Sequence, residues 1–228
     1  MLRHLEAEWL DALPAQDDRA LRSRRDIRRL NVLMFQAQLM ASALLGHAPA
    51  PPRQIVDLGG GDATFMLCVA RQLARIWHGV TVVSVDRGAL VGEETRAGFR
   101  TLGWTLEPVA MDVFDFLEIG GHADAVTVNL FLHHLPEEEL RALLALVAAR
   151  TGLFVACEPR RGLWPLFAAK LLWLIGCNDV TRHDAFLSVR AGFSGRELAL
   201  LWPRDEAWRL AEGWAGPFSH RFVAQRLP

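Results

Sequence analysis

The chain has 228 residues, 51% of them apolar, and carries 25 basic against 26 acidic side chains for a formal net charge of −1. That length and apolar content fit one domain with a substantial core. The charge balance argues against a nucleic-acid partner, and the apolar runs are too short to span a bilayer.

Residues 2–12 and 18–45 read as helices separated by Pro14. The second has Ile27, Leu30, Met34, Ala37 and Ala41 at helical spacing, and the Pro-rich run 48–52 ends it. Acids and arginines interrupt the first residues, so a signal peptide is not expected. The arginines at 19, 22, 24, 25, 28 and 29 read as a solvated face partly paired with Asp17, Asp18 and Asp26. A second reading makes them a docking patch for an acidic carrier protein.

Residues 55–65, Ile-Val-Asp-Leu-Gly-Gly-Gly-Asp-Ala-Thr-Phe, form an apolar run closed by glycines and followed by a helical pattern. This predicts a strand, a tight turn and a helix N-terminus. Glycine admits positive φ and close approach of a ligand, and the helix start offers unpaired N–H groups. A nucleotide-like cofactor is implied. A dinucleotide site calls for G-x-G-x-x-G, but Thr64 stands at the third glycine and Asp62 would repel a pyrophosphate. A cationic ligand fits better.

Residues 80–86 read as a buried strand ending in Asp86, placed to accept from ribose hydroxyls or to cap a helix. Pro108–Val113 reads as a third strand ending in an acid, Asp112. Residues 124–130 read as a fourth strand, followed by Phe131-Leu132-His133-His134-Leu135-Pro136, and 152–159 as a fifth. Segments 66–77, 88–102 and 136–149 read as intervening helices. Residues 208–212 and 220–225 alternate around a Gly-Pro turn and predict an antiparallel edge pair. Alternating βα units predict a mostly parallel, doubly wound sheet with helices on both faces.

Asp57-x-Gly59-x-Gly61-x-Ala63 resembles the first motif of class I S-adenosylmethionine (SAM)-dependent methyltransferases. Ala63 stands where that family usually has a third glycine. The strand-end acids Asp86 and Asp112, the Leu-His-His-Leu-Pro run and the fifth strand follow in the family's order, so the resemblance covers roughly residues 54–160. It implies a Rossmann-like seven-stranded fold, SAM as cofactor and S-adenosylhomocysteine (SAH) as product. The implied cofactor residues are Asp57, Gly59, Gly60, Gly61, Asp86, Arg87, Asp112, Val113 and Asn129. Asp112 would meet the exocyclic amine of adenine, and the next N–H a ring nitrogen. Residues 1–48 become a helical extension that caps cofactor or substrate, or simply packs on the sheet edge. Residues 49–228 become the SAM-binding domain, with a substrate-covering insertion at 162–193.

The insertion opens with a strongly apolar run, 163–175, of a kind more often buried. Trp164 and Phe167 are candidates to line an acceptor pocket. His183 and Arg190 belong to a polar stretch suited to orienting a phenol, enol or carboxylate, or else to a surface loop, before a helix at 195–201. Candidate bases are His134 and His183, since imidazole titrates near neutrality; the His133–His134 pair also reads as ordering its loop. Asp112, Asp115 and Asp124 are explained without a metal, so none is expected. Cys68, Cys157 and Cys177 show neither zinc nor disulfide spacing, which suggests a reducing cytoplasm. The expected activity is methyl transfer to a small, largely apolar acceptor, first an O-methylation of a phenolic or polyketide-like compound. The alternatives are C-methylation of a quinone precursor, and a non-catalytic SAM-binding or carrier-docking protein of the same fold.

Overall fold

A computed structural model describes residues 1–14, 16–88 and 91–227. Seven strands form one sheet: β1 (Gln54–Leu58), β2 (Thr81–Asp86), β3 (Thr105–Ala110), β4 (Ala125–Asn129), β5 (Leu153–Pro159), β6 (Trp208–Ala215) and β7 (Ser219–Arg226). Their spatial order is β3-β2-β1-β4-β5-β7-β6. The first five run parallel, and β7 joins β5 and β6 antiparallel. The chain lays down β1, β2 and β3 outward, then returns to place β4 beside β1. A crevice at the carboxyl ends of β1 and β4 follows from that reversal.

Alternation along the strands divides the core between the two faces. Ile55, Val82, Val155 and Val223 pack with Met40, Leu44, Met66 and Leu73 of the helices α3 (Gln36–His47) and α4 (Thr64–Leu73). Val56, Val83, Val126 and Phe154 pack on the other face with Leu117 of α6 (Val113–Ile119) and with Leu140, Leu144 and Val147 of α7 (Glu137–Arg150). The predicted sheet, edge pair and connecting helices are therefore present. The helix read at 88–102 is α5 (Glu93–Thr101); residues 89–90 of that reading lie outside the described residues.

Five local readings are corrected. The first helix shrinks to α1 (Trp9–Ala12), because the preceding residues are held by tertiary bonds. Arg3 donates to the carbonyls of Ala191, Leu132, His133 and Leu135, and the N–H of His4 donates to Arg190 O. The single helix at 18–45 is two, α2 (Asp18–Leu33) and α3, broken where Phe35 takes φ 56°. This break lets α2 pack on α9 (Asp179–Ala191) while α3 covers α4 and β5. β3 stops at Ala110, and Asp112 instead N-caps α6, its carboxylate accepting from the N–H of Phe114 at 2.8 Å.

The polar stretch around 182–190 lies within α9, started by Asn178, whose side chain accepts from the N–H of Thr181 at 2.8 Å. The apolar run at 163–175 forms α8 (Leu163–Lys170) and a 3₁₀ turn (Leu172–Ile175). It is largely exposed rather than buried: Leu163 is 82%, Trp164 57% and Trp173 57% accessible. The helix read at 195–201 is α10 (Glu197–Leu201). No helix among the described residues is long and apolar enough to cross a membrane.

Candidate active site

The glycine turn follows β1 at the crevice. The N–H groups of Gly59 and Gly60 both donate to Val85 O, at 2.8 and 3.2 Å. A Cβ on Gly60 would lie 2.2 Å from Ser84 Oγ and 2.8 Å from Asp57 Oδ2, so only glycine fits there. Gly61 has φ 55°, and a Cβ on it would meet nothing within 4 Å. Open space therefore faces the turn at Gly61. Asp62 accepts from the N–H of Thr64 at 3.0 Å and pairs with Arg28 of α2 at 3.0 Å. Its role is to cap α4 and tie the N-terminal helices to the turn.

Two acids stand beside the turn, Asp57 under Gly60 and Asp86 at the N–H of Gly61. Asp57 is 2% exposed and accepts from Thr127 Oγ1 at 2.8 Å. Burial pushes its carboxyl up to about 7, against the Thr127 hydrogen bond and with help from the Asp86 charge. Asn129 ends β4, and its buried Oδ1 has no hydrogen-bond partner among the described residues. A buried acceptor of this kind calls for a donor. Asp57 and Asn129 thus offer acceptors at the ends of adjacent strands, which suits a ligand ammonium.

Asp86 ends β2. Its carboxylate accepts from the N–H of Gly61 at 3.0 Å and of Gly88 at 2.7 Å. Arg87 Nε lies 3.5 Å from Asp112 Oδ2, so these two expected cofactor residues stand together. Val113 follows as the first residue of α6, where a helix N–H has no intrahelical acceptor. All nine expected cofactor residues therefore line the carboxyl edge of β1–β4 or the loops leaving it.

The post-β4 turn abuts this edge. A Cβ on Gly59 would fall 2.7 Å from the Phe131 ring, so that ring lies directly on the glycine turn. The turn is organised by Glu158 at the end of β5, which is fully buried. It accepts from the N–H groups of Phe131 at 3.0 Å and Leu132 at 2.8 Å, and from His133 Nδ1 at 2.8 Å. On its other side His133 Nε2 lies 3.7 Å from Glu8 Oε1. Burial alone would lower the His133 imidazole; hydrogen bonds to Glu158 and Glu8 outweigh it and raise it to about 9. His134 is lowered by the crowding of the cleft walls and by the charge of His133. Burial would likewise raise Glu8, but His133 and the neighbouring charges hold it below the usual range.

A cleft of about 240 Å³ opens here, lined by residues that include Leu5, Glu8, Asp11, His133, His134 and Leu187. Of the expected acceptor and catalytic residues, His134 alone is in its wall. His183 stacks on Trp9 with ring centroids 3.8 Å apart and binds Asp184 at 2.8 Å. Asp184 in turn accepts from the N–H groups of Trp9 and Leu10, both at 2.9 Å. Arg190 pairs with Glu6 at 2.6 Å. These residues hold the N-terminal segment against α9. Trp164 and Phe167 face outward, 57% and 53% exposed.

Sequence reasoning missed Glu158, Glu8 and Arg3. Glu158 had a signal, an acid ending an apolar strand; Glu8 and Arg3 had none.

No protein-family model matches the chain, and no curated protein matches it significantly in sequence. Solved structures are similar in fold. An O-methyltransferase family protein from Burkholderia thailandensis superposes with TM-score 0.61 at 20% identity, over 93% of this chain and 61% of that one. This chain therefore spans about three fifths of that protein's length. The plantazolicin methyltransferase BpumL, solved with SAH, gives TM-score 0.65 at 13% identity over 96% and 93%. Magnesium protoporphyrin IX methyltransferase from Synechocystis, solved with SAM, gives 0.54 at 16% over 90% and 83%. At these identities the likeness is one of fold: this chain has the Rossmann-like fold of those methyltransferases.

Proposed function

We propose that this protein is a SAM-dependent methyltransferase acting on a hydroxyl of a small, largely apolar acceptor. One observation carries the reading: the post-β4 turn sets the Phe131 ring on Gly59 and, two and three residues on, puts His133 and His134 in the cleft wall. A cofactor at the glycine turn and an acceptor in the cleft would thereby lie on either side of one short turn. The neighbours of like fold that were solved with SAM or SAH favour the same cofactor.

SAM supplies an electrophilic methyl on a sulfonium, and the protein's task is placement. Asp57 and the orphaned Asn129 Oδ1 take its ammonium. Asp86 takes the ribose, and the pair Arg87–Asp112 with the start of α6 frames the adenine. Residues 1–48 act as a cap. Arg3, His183, Asp184 and Arg190 fasten its first residues over the cleft, where they exclude water from the acceptor.

The test is incubation of purified protein with SAM and a panel of phenols and hydroxylated polyketide-like compounds. The expected products are SAH and an O-methyl ether identified by mass spectrometry. Methylation at ring carbon would replace the hydroxyl reading. SAM binding with no turnover on any acceptor would favour a non-catalytic role.

A further inference from the structure

The cleft wall brings a carboxylate of the N-terminal segment to two adjacent imidazoles of the post-β4 turn. Glu8, His133 and His134 each place one ligand atom within 4.8 Å of the others. We propose that they bind a divalent transition-metal ion of the zinc type.

Two ligands about 2.0–2.1 Å from a tetrahedral metal stand about 3.3 Å apart. Glu8 Oε1 and His133 Nε2 are already at 3.7 Å, so a shift of a few tenths of an ångström completes the pair. The orientation of two of the three ligands is fixed from behind. His133 gives its Nδ1 to the buried Glu158 carboxylate at 2.8 Å, which leaves Nε2 as the atom facing the cleft. A carboxylate behind a histidine is the usual support of a metal ligand. Ser188 Oγ donates to Glu8 Oε1 at 2.5 Å and holds that carboxylate in place. Two imidazoles and one carboxylate suit zinc, iron or manganese and leave coordination positions open. The cleft provides room at those positions.

The chemistry of such an ion rests on the methyl-transfer reading; its binding does not. A metal-held hydroxyl of the acceptor loses its proton to solvent more readily. The oxygen lone pair then forms the bond to the methyl carbon as the carbon–sulfur bond breaks onto sulfur, giving SAH.

The experiment is calorimetric titration of chelator-treated protein with Zn²⁺, alongside Glu8→Gln, His134→Ala and the surface control His122→Ala. The expected result is one equivalent bound by the unaltered protein and by His122→Ala, with affinity reduced about tenfold or more in each ligand variant. Circular dichroism of every variant checks that the fold is kept. Absence of one-equivalent binding, or equal binding by folded Glu8→Gln and His134→Ala, overturns the site. SAM is titrated into the same samples. Loss of SAM binding with zinc binding intact overturns the cofactor reading alone, and the converse overturns the metal alone.

Discussion

Thr127 donates its hydroxyl to Asp57 at 2.8 Å, from directly opposite in the β4–β1 register. The bond holds a buried carboxyl beneath the glycine turn. With its folded pKa at about 7 and an unfolded value near 3.9, this group favours the folded chain fully below about pH 4. That contribution is lost as pH rises through about 7, and it amounts to a few kcal/mol on the order of magnitude.

A cofactor ammonium beside Asp57 should drive its ionisation. SAM affinity is therefore expected to rise between about pH 5 and 7, with proton release on binding, until the α-amino group itself deprotonates near about 8. Calorimetry in buffers of different ionisation enthalpy reads the released proton. Asp57→Asn should bind weakly and show a flat profile over that range; a sloping profile in that variant would assign the proton elsewhere.

Ala63 takes φ 58° at the start of α4, a conformation that costs a non-glycine residue about 1–2 kcal/mol. Its methyl is fully buried, and burial of one such group is worth about 0.8 kcal/mol. Ala63→Gly should therefore stabilise the protein by at most about 1 kcal/mol. Denaturant unfolding showing a clear loss would mean that packing outweighs strain at this position.

His183 and His134 separate by location. His183→Ala should loosen the segment carrying Glu8 and raise KM for the acceptor, with little recovery at alkaline pH. His134→Ala, in the cleft wall, should lower kcat by about tenfold or more while SAM affinity stays unchanged. Steady-state kinetics on a responsive acceptor would decide. Recovery of His183→Ala at high pH would return that residue to the role of base.

Strands β1, β2 and β5 and the glycine turn were legible because their signals are local: buried apolar runs, each closed by an acid or a glycine. The acids Asp57, Asp86 and Asp112 stood out for the same reason, although Asp112 proved to cap a helix rather than end a strand. The N-terminal segment was opaque because its conformation is set from outside. Arg3 finds its acceptors in the post-β4 turn and at Ala191, and nothing near Arg3 in sequence announces them. The run at 163–175 misled because hydrophobicity states what a residue prefers and not which neighbours the fold supplies. Glu8 meets His133 only once the segment has folded back across α9.

The carboxyl edge of β1–β4 is proposed to hold SAM, and calorimetric titration of SAM into the protein and its Asp86→Ala variant is the decisive test. Asp86 also accepts from Gly61 and Gly88, so its removal takes away both a ribose acceptor and support for the turn. Saturable one-site binding is expected, weakened in the variant by about 1.5–3 kcal/mol. No binding by the unaltered protein, or the same affinity in the variant, would contradict it.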